Sequence, residues 1–436
     1  MQATIVRAAK ADSIRLREII EKCLQRVLPA GKGLPVEDED WIESDTLDSM
    51  AHVDVLLCIE RALGLPDLFA QVGEAPPTTT RGTIEAVQKA LRSQPKDTVQ
   101  KGGKRLSGER SSHEGGAIFG WGAALGSERF TIDKIEEAFN LRKGTLANRA
   151  GIDSVCRASQ DQNEIGLAKI AAQQALQVAG ISAQSANWII GTSETFLGFP
   201  SFAATLHTVL LASNNCHVLD IGGACIGLLN CFAVADALFA NPDVDCVLIA
   251  SSDVHSHILT PGNVPGEFGG LFGDGASAFV LRRSTKGNDL APYAVRASIG
   301  SCTGTFSSTL RVRLGANASI DLEFDGEALA RAAVDRMERI ISDLEGICGV
   351  TRDVVSAFAL HQPNPRLVEI LIRRARLSPD KVPLVAKECG NLGSSTCGVA
   401  LSMALDVNAK KPRSGRGPIL VASVGPGMLW AGAILD

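Results

Sequence analysis

His217-Val-Leu-Asp220-Ile-Gly222-Gly223-Ala-Cys225-Ile-Gly-Leu-Leu-Asn230-Cys-Phe-Ala-Val-Ala-Asp236-Ala-Leu-Phe239 is the stretch whose reading decides the fold. Val218 to Ile221 reads as a short buried strand, and Gly222 and Gly223 read as a sharp turn. Ile226 to Ala240, apolar except for Asn230 and Asp236, reads as a helix with no solvated face. Cys225 falls at the N-terminus of that helix, where unpaired N–H groups and the helix dipole favour the nucleophilic thiolate. Cysteine is also a common small core residue. Position alone therefore leaves a nucleophile and a packed thiol equally open.

Outward from this stretch, the chain from Ala117 to its end alternates short apolar runs with helical patterns, the mark of an α/β fold. The pattern also repeats. In the first half, the strand Trp188–Ser193 precedes the Cys225 strand-turn-helix, and Cys246–Ser252 leads through a long loop to Phe272–Leu281. In the second half, the strand Val354–His361 precedes a strand, glycine turn and buried helix over Leu384–Leu405. Two strands around a glycine loop follow at Ile419–Leu435. Matched pieces in one order predict two duplicated halves, 117–285 and 286–436, packed face to face. Cys225, His361 and Asn391 then come from the ends of core elements and converge.

The N-terminal part has another character. Apolar residues recur at helical spacing over Ser13–Val27, and Met50, Val53, Leu56, Leu57 and Leu63 form one stripe on a helix ending at Gly64. A third helix over Thr83–Leu91 completes a small all-α bundle within residues 1–92. The stretch 93–116 is polar, glycine-bearing and aperiodic, and reads as a flexible tether. About 24 residues of that composition reach roughly 25–30 Å root-mean-square, enough to bring the bundle to a neighbouring site.

Composition bounds the function. Hydrophobic residues make up 45% and charged residues 21%, an ordinary globular balance, and the net charge of −5 offers no basic surface for nucleic acid or membrane. The 11 cysteines include no C-x-x-C pair and no Cys/His group at zinc spacing, which predicts reduced thiols, no metal and a cytoplasmic setting. His255 and His257 form an H-x-H that reads as part of a loop. No apolar run approaches membrane-spanning length.

The bundle resembles an acyl carrier protein, whose phosphopantetheine-bearing serine sits in an Asp-Ser-Leu at the start of the second helix; Asp48-Ser49-Met50 occupies that place. The resemblance implies a covalent 4'-phosphopantetheine on Ser49, installed by a phosphopantetheinyl transferase. Without the resemblance, Ser49 reads as a helix cap.

The remainder resembles the thiolase-fold condensing enzymes, most closely β-ketoacyl-acyl-carrier-protein synthase III. The motifs are Asp220-Ile-Gly-Gly-Ala-Cys225-Ile-Gly, Phe272-Gly-Asp-Gly-Ala, His361-Gln-Pro-Asn364 and Gly390-Asn391-Leu-Gly-Ser-Ser, in family order. The resemblance implies a layered αβαβα fold and an acyltransferase chemistry. Cys225 takes an acyl group from a thioester, and a malonyl-type thioester on a carrier or coenzyme A then decarboxylates. His361 and Asn391 hydrogen-bond the enolate oxygen, and carbon–carbon bond formation gives a β-ketoacyl thioester. No metal or redox cofactor is implied. Arg149 and Arg366 match basic residues near the family's substrate tunnel, Phe199 one that reaches across a homodimer interface, and Asn364, Gly425 and Gly427 belong to its substrate-side motifs. Asp274 reads as structural, its turn satisfying its own backbone.

Two departures stand out. The run Ile135–Asn148 lacks the tryptophan with which coenzyme-A-binding members stack adenine, which favours a carrier-bound acyl donor. The closing loop is Gly425-Pro426-Gly427 in place of a triple glycine, closer to type III polyketide synthases, and proline offers no N–H. Both point toward polyketide or specialised fatty-acid-type biosynthesis. Three other readings compete: a thiolase-fold acyltransferase acting on an oxygen or nitrogen nucleophile without decarboxylation, a cysteine α/β-hydrolase using Cys225, Asp274 and His361, and a non-enzymatic carrier scaffold.

Overall fold

A computed structural model describes residues 13–29, 31–65, 68–71, 76–93, 115–284, 293–314 and 319–436. The tether expected over 93–116 lies almost wholly outside these residues, and so does the boundary expected at 285/286. The chain divides into two units, residues 1–105 with 324–335 and residues 106–323 with 336–436.

In the first unit, α1 (Ser13–Val27), α2 (Ser49–Leu63) and α3 (Thr80–Ser93) carry the expected stripes. Leu16, Ile20 and Leu24 meet Val55, Leu56 and Ile59 in one core, with Val87 and the fully buried Trp41. Each such aliphatic side chain contributes about 1.5–3 kcal/mol on burial. Asp48 caps α2, its carboxylate accepting from the N–H groups of Met50 at 3.0 Å and Ala51 at 2.7 Å. Gly64 ends the helix in the left-handed conformation, at φ 67°.

The second unit is built on a nine-stranded mixed sheet. Its strands are β1 (Gly116–Leu125), β2 (Trp188–Thr192), β3 (His217–Asp220), β4 (Cys246–Val254), β5 (Asp274–Arg283), β6 (Tyr293–Cys302), β7 (Ala357–Leu360), β8 (Ile419–Gly425) and β9 (Leu429–Leu435). Their order is β7-β8-β9-β6-β1-β5-β4-β2-β3. β3, β2 and β4 run parallel, and β5 then β1 antiparallel. In the second half β7 and β8 run parallel, and β9 then β6 antiparallel. The second half thus repeats the first apart from a counterpart of β3. The halves join where Ala117 and Ile118 pair with Ala294 and Tyr293, so one sheet runs through both.

Helices complete the layers. α4 (Glu164–Ala179) packs on β1, β4 and β5. α5 (Gly227–Leu238) touches β2 and β4 of its own half and β9 of the other, while α8 (Thr396–Ala409) touches β7, β8, β1 and β5. These two helices lie between the halves. Beyond β9, Ile340 and Leu344 of α6 (Gly326–Cys348) close over Gly432. The outcome is helix, one half of the sheet, helix, the other half of the sheet, helix.

Three local expectations are corrected. β3 is an exposed edge strand, because β2 is its only partner among the described residues. α5 leaves Ala233 and Ala237 exposed, so its apolar run is not wholly covered within the chain. The strand expected from Leu384 is instead a short helix, Ala386–Cys389. There the Gln362 amide takes the place of a strand neighbour: its Oε1 accepts from the N–H groups of Val385 at 2.8 Å and Ala386 at 3.1 Å, and its Nε2 donates to the Pro383 carbonyl at 2.6 Å.

Candidate active site

The site forms where the strand-turn-helix of one half meets its counterpart. Asp220 ends β3 and caps the helix Phe202–Leu210, accepting from the N–H groups of Phe202 and Ala203, both at 2.8 Å. The chain then turns sharply: Gly223 has φ 139°, and Ala224, at φ 47°, sits where side chains are strained by about 1–3 kcal/mol. Asn230 reaches back from α5 to donate to the Gly222 carbonyl at 3.0 Å, tying turn to helix. Gly227 lies so close to β2 that a Cβ there would stand 2.2 Å from Thr192 Oγ1. Cys225 is half-buried in the single 3-10 turn Ala224–Ile226 that opens α5. Its carbonyl accepts from Ser423 Oγ on β8 at 2.6 Å.

His361 is buried directly after β7, its N–H donating to the Ala422 carbonyl at 2.8 Å. β8 therefore braces the histidine at Ala422 and the cysteine at Ser423. Asn391 follows the short helix Ala386–Cys389 and bridges to Phe272. Its Oδ1 accepts from the Gly393 N–H at 3.0 Å and the Thr396 hydroxyl at 3.2 Å, which leaves the amide NH2 as the free, donating end. The turn Gly393–Ser395 after Asn391 packs on the turn holding Cys225. The three expected residues are thus brought together by β8 and by these paired turns.

Electrostatics alters one expectation. Burial, followed by the charge of Glu194, pushes the Cys225 thiol well above its ordinary range. The resting group is a thiol, since desolvation and a neighbouring carboxylate outweigh the helix terminus. Burial lowers His361 to about 4, with Glu194 opposing, so its ring is neutral near pH 7. A neutral imidazole carries one N–H and is a hydrogen-bond donor without being a charge.

The remaining expected residues separate. Gly425 closes against Cys225: a Cβ there would stand 3.4 Å from the Cys225 nitrogen. Gly427 adopts φ 128° beside Pro426. Asn364 caps α7 (Pro365–Ala375) through the Leu367 N–H at 2.9 Å. Arg366 and Arg149 are exposed neighbours, Arg366 donating to the Asn148 carbonyl at 3.2–3.3 Å. Phe199 is fully exposed, on the loop after β2. Ser49 is exposed at the start of α2 in the first unit, where Asp48 rather than Ser49 supplies the cap.

Asp274 holds other segments rather than its own turn. It accepts from the N–H groups of Ala158 at 2.7 Å and Ser256 at 3.0 Å. No bond links it to His361, so the hydrolase triad is not assembled. His255 is buried and His257 exposed, which divides the H-x-H. Among the described residues no His/Cys/Asp/Glu group suits a metal ion, and no helix is long and apolar enough to cross a membrane. Sequence reasoning missed Glu194, which follows β2 as Cys225 follows β3. Its position just past a strand end was the available signal.

Comparison with known proteins agrees with this fold. The profile described as 3-oxoacyl-(acyl-carrier-protein) synthase III matches residues 219–298, and that of its C-terminal part matches 347–436. The β-ketoacyl-(acyl-carrier-protein) synthase III of Paracoccus denitrificans is 30% identical over 308 residues, 69% of this chain and 92% of the relative. That of Sodalis glossinidius is 28% identical over 324 residues, 73% of this chain and 98% of the relative. The crystal structure of 3-oxoacyl-(acyl-carrier-protein) synthase III from Aquifex aeolicus superposes with a TM-score of 0.66 at 25% identity, covering 74% of this chain and all of that one. Xanthomonas campestris OleA, solved with bound lauric acid and lauroyl-CoA, shares the fold at a TM-score of 0.66 and 19% identity, over 74% of this chain and 99% of that one.

Proposed function

We propose that this chain, which belongs to the β-ketoacyl-(acyl-carrier-protein) synthase III family, loads an acyl group onto Cys225 and joins it to a malonyl-type thioester by decarboxylative condensation. The observation that carries the reading is the pairing of a neutral His361 with an Asn391 whose NH2 is its free end, beside a cysteine at a helix start.

In the first step the Cys225 sulfur attacks the acyl thioester carbonyl and the donor thiol leaves. The Cys225 N–H, near Gly425, stabilises the oxyanion. In the second step the malonyl-type thioester places its carbonyl oxygen against His361 and Asn391. Loss of carbon dioxide leaves an enolate that accepts both hydrogen bonds. The carbanion attacks the acyl-Cys225 carbonyl and expels the Cys225 thiolate, which takes a proton from solvent. Pure acyl transfer to an oxygen or nitrogen nucleophile needs no such pair of donors, and for that reason condensation leads.

The bundle is the acyl carrier in this reading, with 4'-phosphopantetheine on Ser49 attached by a phosphopantetheinyl transferase. Its support is the exposed serine at a capped helix start over a closed apolar core. Arg149 and Arg366 form one exposed basic pair suited to a pantetheine phosphate or an acidic carrier surface. The missing tryptophan in Ile135–Asn148 favours a carrier-bound donor over coenzyme A, and Pro426 a specialised product. A homodimer is supported by the unpaired edge of β3, with exposed Val218, Leu219, Leu211 and Phe199 around it.

Two mass measurements test the reading. Phosphopantetheinyl transferase adds one arm to the wild type and none to Ser49→Ala; a gain that survives the substitution removes the carrier assignment. Incubation with an acyl thioester places the acyl group on the Cys225 peptide, and its appearance elsewhere removes the nucleophile.

A further inference from the structure

Next to Cys225 lies a second buried constellation that the condensation leaves unused. Glu194 follows β2, its N–H donating to Asp253 Oδ1 at 2.6 Å. Asp253 is held in turn by Ser394, whose N–H and hydroxyl donate to Oδ2 at 2.9 and 2.6 Å. The Glu194 carboxylate faces His255, Oε2 standing 3.7 Å from Nε2. His255 Nδ1 lies 3.2 Å from the Gly273 carbonyl, an acceptor only, so that nitrogen carries a proton. Glu194 Oε1 and His255 Nε2 are both buried without a hydrogen-bond partner. A buried carboxylate oxygen with no donor is costly, and such an exception calls for a use.

The position of Glu194 supplies that use. The first turn of α5 is seated on the end of β2 through the Gly227–Thr192 approach. Glu194 stands two residues beyond Thr192, and its carboxylate charge acts on both the Cys225 thiol and His361. We infer that Glu194 is the proton acceptor for the Cys225 thiol during acyl loading and returns that proton to the departing thiol of the acyl donor.

The step balances without any further reactant. The S–H bond of Cys225 breaks as its sulfur bonds to the acyl carbon, and the proton passes to a Glu194 oxygen. Collapse of the tetrahedral intermediate breaks the bond from carbon to the donor sulfur, and that sulfur takes the proton from Glu194. The acyl group has moved, and Glu194 is a carboxylate again.

The surroundings suit this cycle. Burial pushes the Glu194 carboxyl up, but the facing His255 holds it low, so it starts unprotonated. Burial lowers His255, yet Glu194, Asp253 and Asp274 together raise it to about 9, which makes it a lasting cation against Glu194. Taking up the thiol proton cancels the very charge that, after burial, holds Cys225 protonated.

The inference rests on the acyl-Cys225 reading above, and its test separates the two. Acyl-enzyme formation is followed by quenched-flow intact mass in the full chain. Glu194→Gln is expected to slow loading about 100-fold or more, within the usual range for loss of a general base. In Glu194→Ala, added formate is expected to restore part of the lost rate, which a merely structural role does not allow. Loading by Glu194→Gln at the wild-type rate overturns the inference, as does a Glu194→Ala loss that formate leaves unchanged. Carbon dioxide release from a malonyl thioester by Cys225→Ala, with Glu194 intact, reports on the condensation separately. Its absence, beside a normal Glu194 dependence of loading, removes the condensation and leaves the base.

Discussion

At the scale of residues, environment decides what Cys225 and His361 are before substrate arrives. The same burial that keeps the cysteine a thiol keeps the histidine neutral. Because His361 is lowered to about 4, the folded chain refuses a proton that the unfolded chain accepts below about 6.5. The unfolded state then binds more protons, so this site costs stability progressively as the pH falls from about 6.5 toward 4. In a histidine-labelled sample, the ring signal lost in His361→Gln is expected to stay fixed between pH 5.5 and 8; a midpoint near 6.5 contradicts the account. The cysteine, histidine and asparagine were legible because each stands in a motif at a strand end or glycine turn. Glu194 was not, since a lone glutamate after a strand reads as solvated until the fold covers it. The protonation state of Cys225 was misjudged for the same reason: a helix terminus shows in sequence, and desolvation does not.

At the scale of elements, β8 and the turns around the site are the working parts. Two glycines there separate chemistry from folding. Gly425 has an extended backbone that alanine tolerates, and its added Cβ would meet the Cys225 nitrogen at 3.4 Å. Gly425→Ala is therefore expected to lower acyl loading, by up to about 100-fold if the oxyanion donor is blocked, with little change in thermal midpoint. At Gly273 a Cβ would stand 1.9 Å from the Cys389 carbonyl, backbone against backbone. Gly273→Ala is expected to cost about 3 kcal/mol or more in unfolding experiments. The reverse pattern, a stable Gly273→Ala and an unstable Gly425→Ala, contradicts this assignment. The repeat of strand, turn and helix was readable from apolar runs and glycines. The second copy failed at Leu384, where three apolar or small residues suggested a strand. Gln362 binds that backbone with its side chain, a long-range contact invisible to local pattern.

At the scale of the whole molecule, the α/β halves and the helical bundle were predictable because each carries its own hydrophobic period. The exposure of β3 was not, because an apolar four-residue strand reads alike whether it lies at the centre or the edge of a sheet. Its unpaired edge and apolar neighbours predict self-association. Sedimentation of the full chain is expected to show a dimer, shifted to monomer by Val218→Asp; a wild-type monomer that still loads and condenses contradicts a dimeric working unit.

The central claim, condensation rather than simple acyl transfer, is tested most directly by stoichiometry. The full chain, treated with a phosphopantetheinyl transferase, is given an acyl thioester and a malonyl thioester, and carbon dioxide is counted against acyl groups leaving Cys225. The account predicts one carbon dioxide and one β-ketoacyl thioester for each acyl group consumed, the β-ketoacyl product lost in Cys225→Ser and both strongly reduced in His361→Gln and Asn391→Ala. Discharge of acyl-Cys225 onto an oxygen or nitrogen acceptor, with no carbon dioxide released, would contradict it.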